Sequence, residues 1–123
     1  MKRIALLVVV AGAALALVVS AFGATILNNP TASKVTFAYA KKTLTATRGL
    51  VTIRAKNKST VLKHDVAIRK GTGPKGKVLA KGKVVAFNGV SVARATLAKG
   101  KYRFFCTVPG HEAGGMWGIL TVK

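Results

Sequence analysis

Four side chains that can bind a soft metal ion stand out because the chain has so few of them. The 123 residues include two histidines, one cysteine and one methionine besides Met1. Cys106, His111 and Met116 lie in one segment, CTVPGHEAGGM, in C-x₄-H-x₄-M order, and His64 lies upstream. Two imidazoles and a thiolate in a plane, with a weak axial thioether, suit a copper ion that alternates between Cu(I) and Cu(II). We therefore predict that His64, Cys106, His111 and Met116 bind one copper ion.

Other uses of these residues fit the sequence less well. Structural zinc sites use four Cys or His donors, and methionine is not among the usual zinc ligands. A Cys–His catalytic pair would need a third group to orient the histidine, and it would leave Met116 without a role. The segment GTGPKGKV at 71–78 matches most of a phosphate-binding loop, but Val78 stands where a Ser or Thr is required. We interpret that segment as a basic surface turn.

The spacing of the three C-terminal donors suits a loop that folds back on one ion. Cys106 ends a predicted strand, and Pro109-Gly110 is typical of a turn, because proline fixes φ and glycine adopts conformations that other residues avoid. Gly114-Gly115 gives the backbone the freedom to bring Met116 to the axial position. The other loop residues are mostly small or apolar, so we expect the ring edge of His111 to lie near the surface.

Alternating apolar and polar residues predict an all-β domain beyond Ser33. No segment of this part shows sustained helical periodicity, and turn residues separate the alternating runs. Short strands at this spacing are typical of a β-sandwich or barrel. The predicted strands cover residues 34–39, 50–55, 66–68, 78–87 (one or two strands), 90–97, 102–106 and 119–122.

The N-terminal segment is hydrophobic and has two interpretations, and both of them place the domain outside the cytoplasm. Lys2 and Arg3 precede an uncharged, mostly apolar run from Ile4 to Leu27. The run is either a cleavable signal peptide or a membrane-anchor helix, since it can span a bilayer core of about 30 Å. We divide the chain into a signal peptide or anchor (1–27), a linker (28–33) and a copper-binding domain (34–123). The domain is then periplasmic, exposed on the cell surface or secreted.

The charge of the chain predicts acidic partners. The formal net charge is +19, or +17 without Lys2 and Arg3. Such a surface favours acidic redox proteins, for example a cytochrome or oxidase domain, and association with a membrane through the N-terminal helix and the basic surface. Nucleic-acid binding usually adds a recognition helix or an aromatic platform, and the sequence shows neither. A single cysteine excludes an internal disulfide framework, and we expect a monomer.

Two segments resemble the cupredoxins, the plastocyanin and azurin family. The segment KYRFFCTVPGHEAGGMWGILTV, 101–122, is similar to the copper-binding end of that family, and GLVTIRAKNKSTVLKHDVAI, 49–68, is similar to the segment with the first histidine. The resemblance implies a Greek-key β-sandwich with a type 1 (blue) copper ion at one end. The family ligands correspond to His64, Cys106, His111 and Met116, and their spacing looks most like the rusticyanin-type loop. The implied activity is electron transfer between proteins, not catalysis.

The sequence departs from the family next to its ligands. Asp65 follows the first histidine, where family members commonly have Asn, and we expect its carboxylate to accept hydrogen bonds from Thr107. The other acidic residue, Glu112, follows His111, and the large Trp117 follows Met116. The favoured function is an exported electron carrier. The alternative is a copper-binding protein for storage, delivery or oxidase assembly, which often has an extra Met- or His-rich tract that this chain lacks.

Overall fold

The alternating pattern of the sequence becomes two β-sheets. A computed structural model describes residues 23–32 and 37–123, and among these residues no α-helix occurs. None of them belongs to a helix that could span a bilayer. The strands are β1 (Gly23–Asn28), β2 (Thr43–Ala46), β3 (Gly49–Lys56), β4 (Ala67–Lys70), β5 (Val78–Lys81), β6 (Val90–Leu97), β7 (Gly100–Phe105) and β8 (Trp117–Val122).

The strands of the two sheets do not follow one another in sequence order. One sheet has the order β1-β3-β6, and the other has the order β2-β8-β7-β4-β5. The outer strands β1 and β2 pair in parallel with β3 and β8, and the other pairs are antiparallel. The chain leaves the first sheet after β1, after β3 and after β6, whereas β4 and β5, and likewise β7 and β8, are consecutive strands within the second sheet. The all-β sandwich that the sequence predicts is therefore confirmed.

The core between the sheets consists of the inward side chains of the alternating strands. Val51 and Ile53 of β3, Ile68 of β4, Phe104 of β7 and Leu120 of β8 are fully buried. Each such side chain contributes roughly 1.5–3 kcal/mol when it is removed from water. The core continues without a break to the metal-ligand candidates, since Cys106 and Met116 belong to the same cluster.

Strand pairing brings the donors to one end of the sandwich. Phe105 of β7 pairs with Trp117 of β8, so Cys106 leaves one strand where Met116 enters the next. The amide of Cys106 donates a hydrogen bond to the carbonyl of Met116 at 3.1 Å. β4 runs beside β7, with Ala67 opposite Phe105, and this register places the segment that contains His64 next to Cys106.

The structure agrees with most of the predicted strands and differs near the N-terminus. The strands predicted at 50–55, 90–97, 102–106 and 119–122 are confirmed within one or two residues. β1, however, begins at Gly23, so residues 23–32, which we assigned to the hydrophobic segment and the linker, belong to the β-domain. Burial alternates along β1, where Ile26 is exposed and Leu27 is partly buried. The sequence does not show this two-residue period, because the residues on both faces of the strand are mostly apolar. β2 was not predicted.

Two predictions fall partly or wholly outside the described residues. In the strand predicted at 34–39, residues 34–36 are not described, and Tyr39 forms only an isolated bridge with Thr31. The signal peptide or anchor lies almost entirely in residues 1–22 and stays a prediction. Of the segment at 71–78, residues 71–77 form the turn between β4 and β5 and Val78 begins β5, and the amide of Lys70 donates to the carbonyl of Lys77 across this turn.

Candidate metal centre

Three of the predicted donors form a triangle of the size that a single metal ion needs. The Nδ1 atoms of His64 and His111 lie 3.2 Å apart, and Cys106 Sγ lies 3.9 Å and 3.5 Å from them, respectively. The centre of a circle through the three atoms lies about 2.1 Å from each, close to metal–ligand distances of about 2.0–2.3 Å for nitrogen and sulfur donors. The triangle therefore fits one ion in its plane.

The fourth predicted donor lies in the same buried end of the core. The side chain of Met116 is fully buried, and those of His64 and Cys106 are almost fully buried. The amide of Met116 donates to the carbonyl of His111, which ties the end of the loop to its middle. Two imidazoles, a thiol and a thioether are the donor set of a mononuclear site that accepts both copper oxidation states. His64, Cys106, His111 and Met116 are placed to bind one copper ion.

The loop between Cys106 and Met116 owes its shape to glycines at two turns. Gly110 has φ 83° and Gly115 has φ 111°, both in the region that side chains with a Cβ avoid. The amide of His111 donates to the carbonyl of Val108 across the first turn. The turns predicted at Pro109-Gly110 and at Gly114-Gly115 are thus confirmed.

Burial keeps the donors uncharged in the metal-free protein. Desolvation lowers the pKa of His64, and the nearby His111 lowers it further. Desolvation also lowers the pKa of His111. Desolvation raises the pKa of the Cys106 thiol to about 11. A metal ion that binds here therefore meets neutral imidazoles and must displace the thiol proton, since thiolate is the ligand form.

Asp65 joins the two segments that supply the ligands. The amide of Thr107 donates to Asp65 Oδ1 at 2.6 Å, and the Thr107 hydroxyl donates to Oδ2. The carboxylate is fully buried, and Lys81 Nζ lies 3.3 Å from Oδ2. The hydroxyl of Tyr39 donates to the Asp65 carbonyl at 2.6 Å. The predicted link between Asp65 and Thr107 is confirmed, and it holds the residue after His64 to the residue after Cys106.

Glu112 fastens the ligand loop to the outer face of the larger sheet. Its Oε2 accepts hydrogen bonds from Arg69 Nη1 at 2.7 Å and from Arg103 Nε at 2.8 Å. The Arg69 guanidinium lies over the ring of Phe105 at 3.8 Å, and that of Arg103 lies over Trp117 at 3.9 Å. These contacts were not predicted from the sequence, because the residues involved come from β4, β7 and β8 and have no fixed spacing from the ligand motif.

The imidazole of His111 is not at the surface, contrary to the expectation from its loop. Only 6% of the residue is exposed. The ring of Phe37 stacks on it, with ring centroids 4.3 Å apart and an angle of 22° between the planes. The expectation was wrong because it considered only the residues of the loop, whereas the covering ring comes from the segment before β2.

Known proteins resemble this chain in sequence and in fold. The model of the family described as copper binding proteins, plastocyanin/azurin family, matches residues 26–123. A reduced auracyanin from the photosynthetic bacterium Roseiflexus castenholzii is 30% identical, with a TM-score of 0.71, and the match covers 82% of this chain and 99% of that one. Auracyanin A, a blue copper protein from Chloroflexus aurantiacus, is 29% identical, with a TM-score of 0.70, and 82% and 100% of the chains are covered.

A third structure supports the fold alone. Auracyanin B is 21% identical, with a TM-score of 0.69 over 80% of this chain and 88% of that one. A search of curated proteins found no significant match. The family match extends over most of the chain, and it includes the converging donors His64, Cys106 and His111 as well as the buried Met116. The chain belongs to the plastocyanin/azurin family of copper-binding proteins.

Proposed function

We propose that this protein is a type 1 copper protein that carries single electrons between redox partner proteins outside the cytoplasm. The observation that carries the proposal is the buried triangle of His64, Cys106 and His111, with Met116 beside it. A copper ion held there would supply a one-electron couple. The protein supplies a mixed donor set on a rigid frame, so that a change of oxidation state needs little rearrangement.

The closed form of the site supports an electron carrier over the alternatives. Catalytic metal sites keep one coordination position open for water or substrate, whereas here three donors converge and Met116, a fourth soft donor, is fully buried in the same core. Copper delivery requires ligand exchange with a partner protein, and donors exposed by only 0–6% are poorly accessible to such a partner. An electron needs no such access.

The test of the proposal is the visible absorption of the oxidised, copper-loaded protein. Charge transfer from a cysteine thiolate to Cu(II) should give an intense band at roughly 600 nm in a site with two histidines and one cysteine. Cys106→Ser should abolish the band, and a reversible one-electron couple should accompany it in the native chain. A colourless Cu(II) protein with the native sequence would refute the assignment.

We propose that the redox partners are acidic. Both carboxylates of the described residues are held by cations, Asp65 by Lys81 and Glu112 by two arginines. The exposed charged side chains of the described residues are therefore lysines and arginines, and the whole chain has a formal net charge of +19. Opposite charges raise association rates, and salt screens them over a Debye length of about 8 Å at physiological ionic strength.

Stopped-flow oxidation tests the partner. Reduced protein is mixed with an acidic or a basic cytochrome of similar potential over a series of salt concentrations. The rate with the acidic cytochrome should be higher and should fall with added salt, and the rate with the basic one should rise. Equal rates that do not change with salt would contradict the proposal.

We also propose that the hydrophobic run exports the domain. The apolar run from Ile4 to Leu27 overlaps β1, which begins at Gly23, so only the residues before Gly23 remain for a signal or an anchor. Cell fractionation and the intact mass of the native protein separate the two cases. A mature mass without the first 21 residues would indicate cleavage after Ala21, and a full-length chain in the membrane fraction would indicate an anchor. A full-length protein in the cytoplasm would contradict export.

A further inference from the structure

The aromatic ring of Phe37 occupies the position between His111 and solvent. The two rings are stacked at 4.3 Å, and Phe37 keeps 38% of its surface exposed while His111 keeps 6%. Phe37 is thus the outermost side chain of the stack. It belongs to neither of the segments that supply ligands, so its contact with His111 is a feature of the tertiary structure.

The ring of Phe37 packs directly against the backbone at Gly114. A Cβ added at Gly114 would lie 2.6 Å from Phe37 Cδ2 and 3.3 Å from Cε2, and real Cβ atoms do not approach other atoms to 2.6 Å. Unlike Gly110 and Gly115, Gly114 does not have a positive φ. The space for a side chain at 114 is therefore taken by the packed ring, and the Gly110 carbonyl oxygen would also lie 3.1 Å from the added Cβ.

We propose that Phe37 is a positioning residue for the metal centre, which fixes the plane of the His111 imidazole and keeps water away from it. Stacked aromatic pairs contribute about 0.5–1.5 kcal/mol beyond the area that they bury. The apolar surroundings of a metal site also control solvent access and local dielectric, and through them the reduction potential. The phenyl ring is neither oxidised nor reduced. The redox part of this inference rests on the proposed function, and the structural part does not.

The structural part is measured on the full-length, metal-free protein. Protons that face an aromatic ring resonate upfield, so the NMR signals of the His111 ring should move downfield in Phe37→Leu. Leucine keeps an apolar side chain against Gly114 but removes the aromatic ring that stacks on His111 and covers it. Phe37→Tyr keeps the ring and adds a hydroxyl on a side chain that is partly exposed, so its His111 signals should match those of the native protein.

The redox part is measured on the copper-loaded protein. Water that reaches His111 stabilises the more highly charged oxidised state, so Phe37→Leu should lower the reduction potential. Gly114→Ala should do the same, because its methyl group displaces the ring. Loss of the stacking energy should also speed the removal of copper by a chelator by roughly two- to tenfold. Phe37→Tyr should restore native values.

Phe87 supplies the matched control. It is 51% exposed and lies in the turn before β6, so Phe87→Ala removes a phenyl ring of similar exposure. This variant should keep the native potential and the native rate of copper removal.

Unchanged His111 signals in Phe37→Leu would overturn the positioning role. Native potentials and chelation rates in both Phe37→Leu and Gly114→Ala would overturn the shielding role. Absence of the visible band in the native chain would instead refute the proposed function and leave the NMR result standing.

Discussion

The buried carboxylate of Asp65 should lower the reduction potential of the copper site, and Asp65→Asn should raise it. The substitution keeps the shape of the side chain and an oxygen that can accept the Thr107 amide, so the link of 2.6 Å is retained. It removes one negative charge. Because Cu(II) carries one more positive charge than Cu(I), a nearby carboxylate stabilises the oxidised state, and its removal favours the reduced one.

The size of the effect follows from the separation of the charges. The Asp65 carboxylate accepts a hydrogen bond from Thr107, and Thr107 directly follows the ligand Cys106. The carboxylate therefore lies on the order of 7 Å from the ion position, a distance of about two residues along the chain. At an effective dielectric constant of about 20, two unit charges at that distance interact by about 2 kcal/mol. For one electron this corresponds to a rise of about 100 mV.

Lys81 allows the charge to be tested in both directions. Its Nζ lies 3.3 Å from Asp65 Oδ2, but half of its side chain is exposed, so solvent screens it more strongly. Lys81→Met should therefore lower the potential by less than Asp65→Asn raises it. The double variant should lie between the two single variants, and Lys83→Met provides a control for the loss of a lysine charge.

Cyclic voltammetry of the native protein and these variants at one pH and salt concentration measures the shifts. The visible band should persist in Asp65→Asn, since the ligands and the Thr107 link remain. An unchanged or lower potential in Asp65→Asn would refute the electrostatic argument. Loss of the band would show that the charge of Asp65, and not only its hydrogen bonds, is needed to hold the ligand loops together.

Three further substitutions test other parts of the structure. Met116→Leu should keep the visible band and raise the potential, because a weak donor to Cu(II) is lost, and loss of copper would show that Met116 has another role. Gly118→Ala should lower the free energy of unfolding by about 1–3 kcal/mol in thermal denaturation, since its methyl group would overlap the buried ring of Phe104. Glu112→Gln should speed copper release and should lower the free energy of unfolding of the metal-free protein by on the order of 1–2 kcal/mol. The reason is that Arg69 and Arg103 lose a charged hydrogen-bond acceptor.

The sequence by itself determined the donor set and the class of fold. Histidine, cysteine and methionine are so rare in this chain that their order alone indicated copper. The strands β3 and β6 followed from the alternation at residues 50–55 and 90–97, which places one face of each strand in the core. The donor set and the alternation depend on residue type and short spacing, which a sequence displays directly. The link between Asp65 and Thr107 was predicted from the resemblance to the cupredoxins, in which the residue after the first histidine bonds to the residue after the cysteine.

Only the tertiary structure decided which distant side chains surround the ligands. Phe37 stacks on His111, and Arg69 and Arg103 hold Glu112, through contacts between segments that are remote in sequence. No local pattern encodes such contacts, since they result from how the sheets pack. The start of the domain was hidden for a different reason. The strand β1 continues an apolar run, and its edge position beside β3 leaves Ile26 exposed, so composition alone could not separate strand from hydrophobic segment.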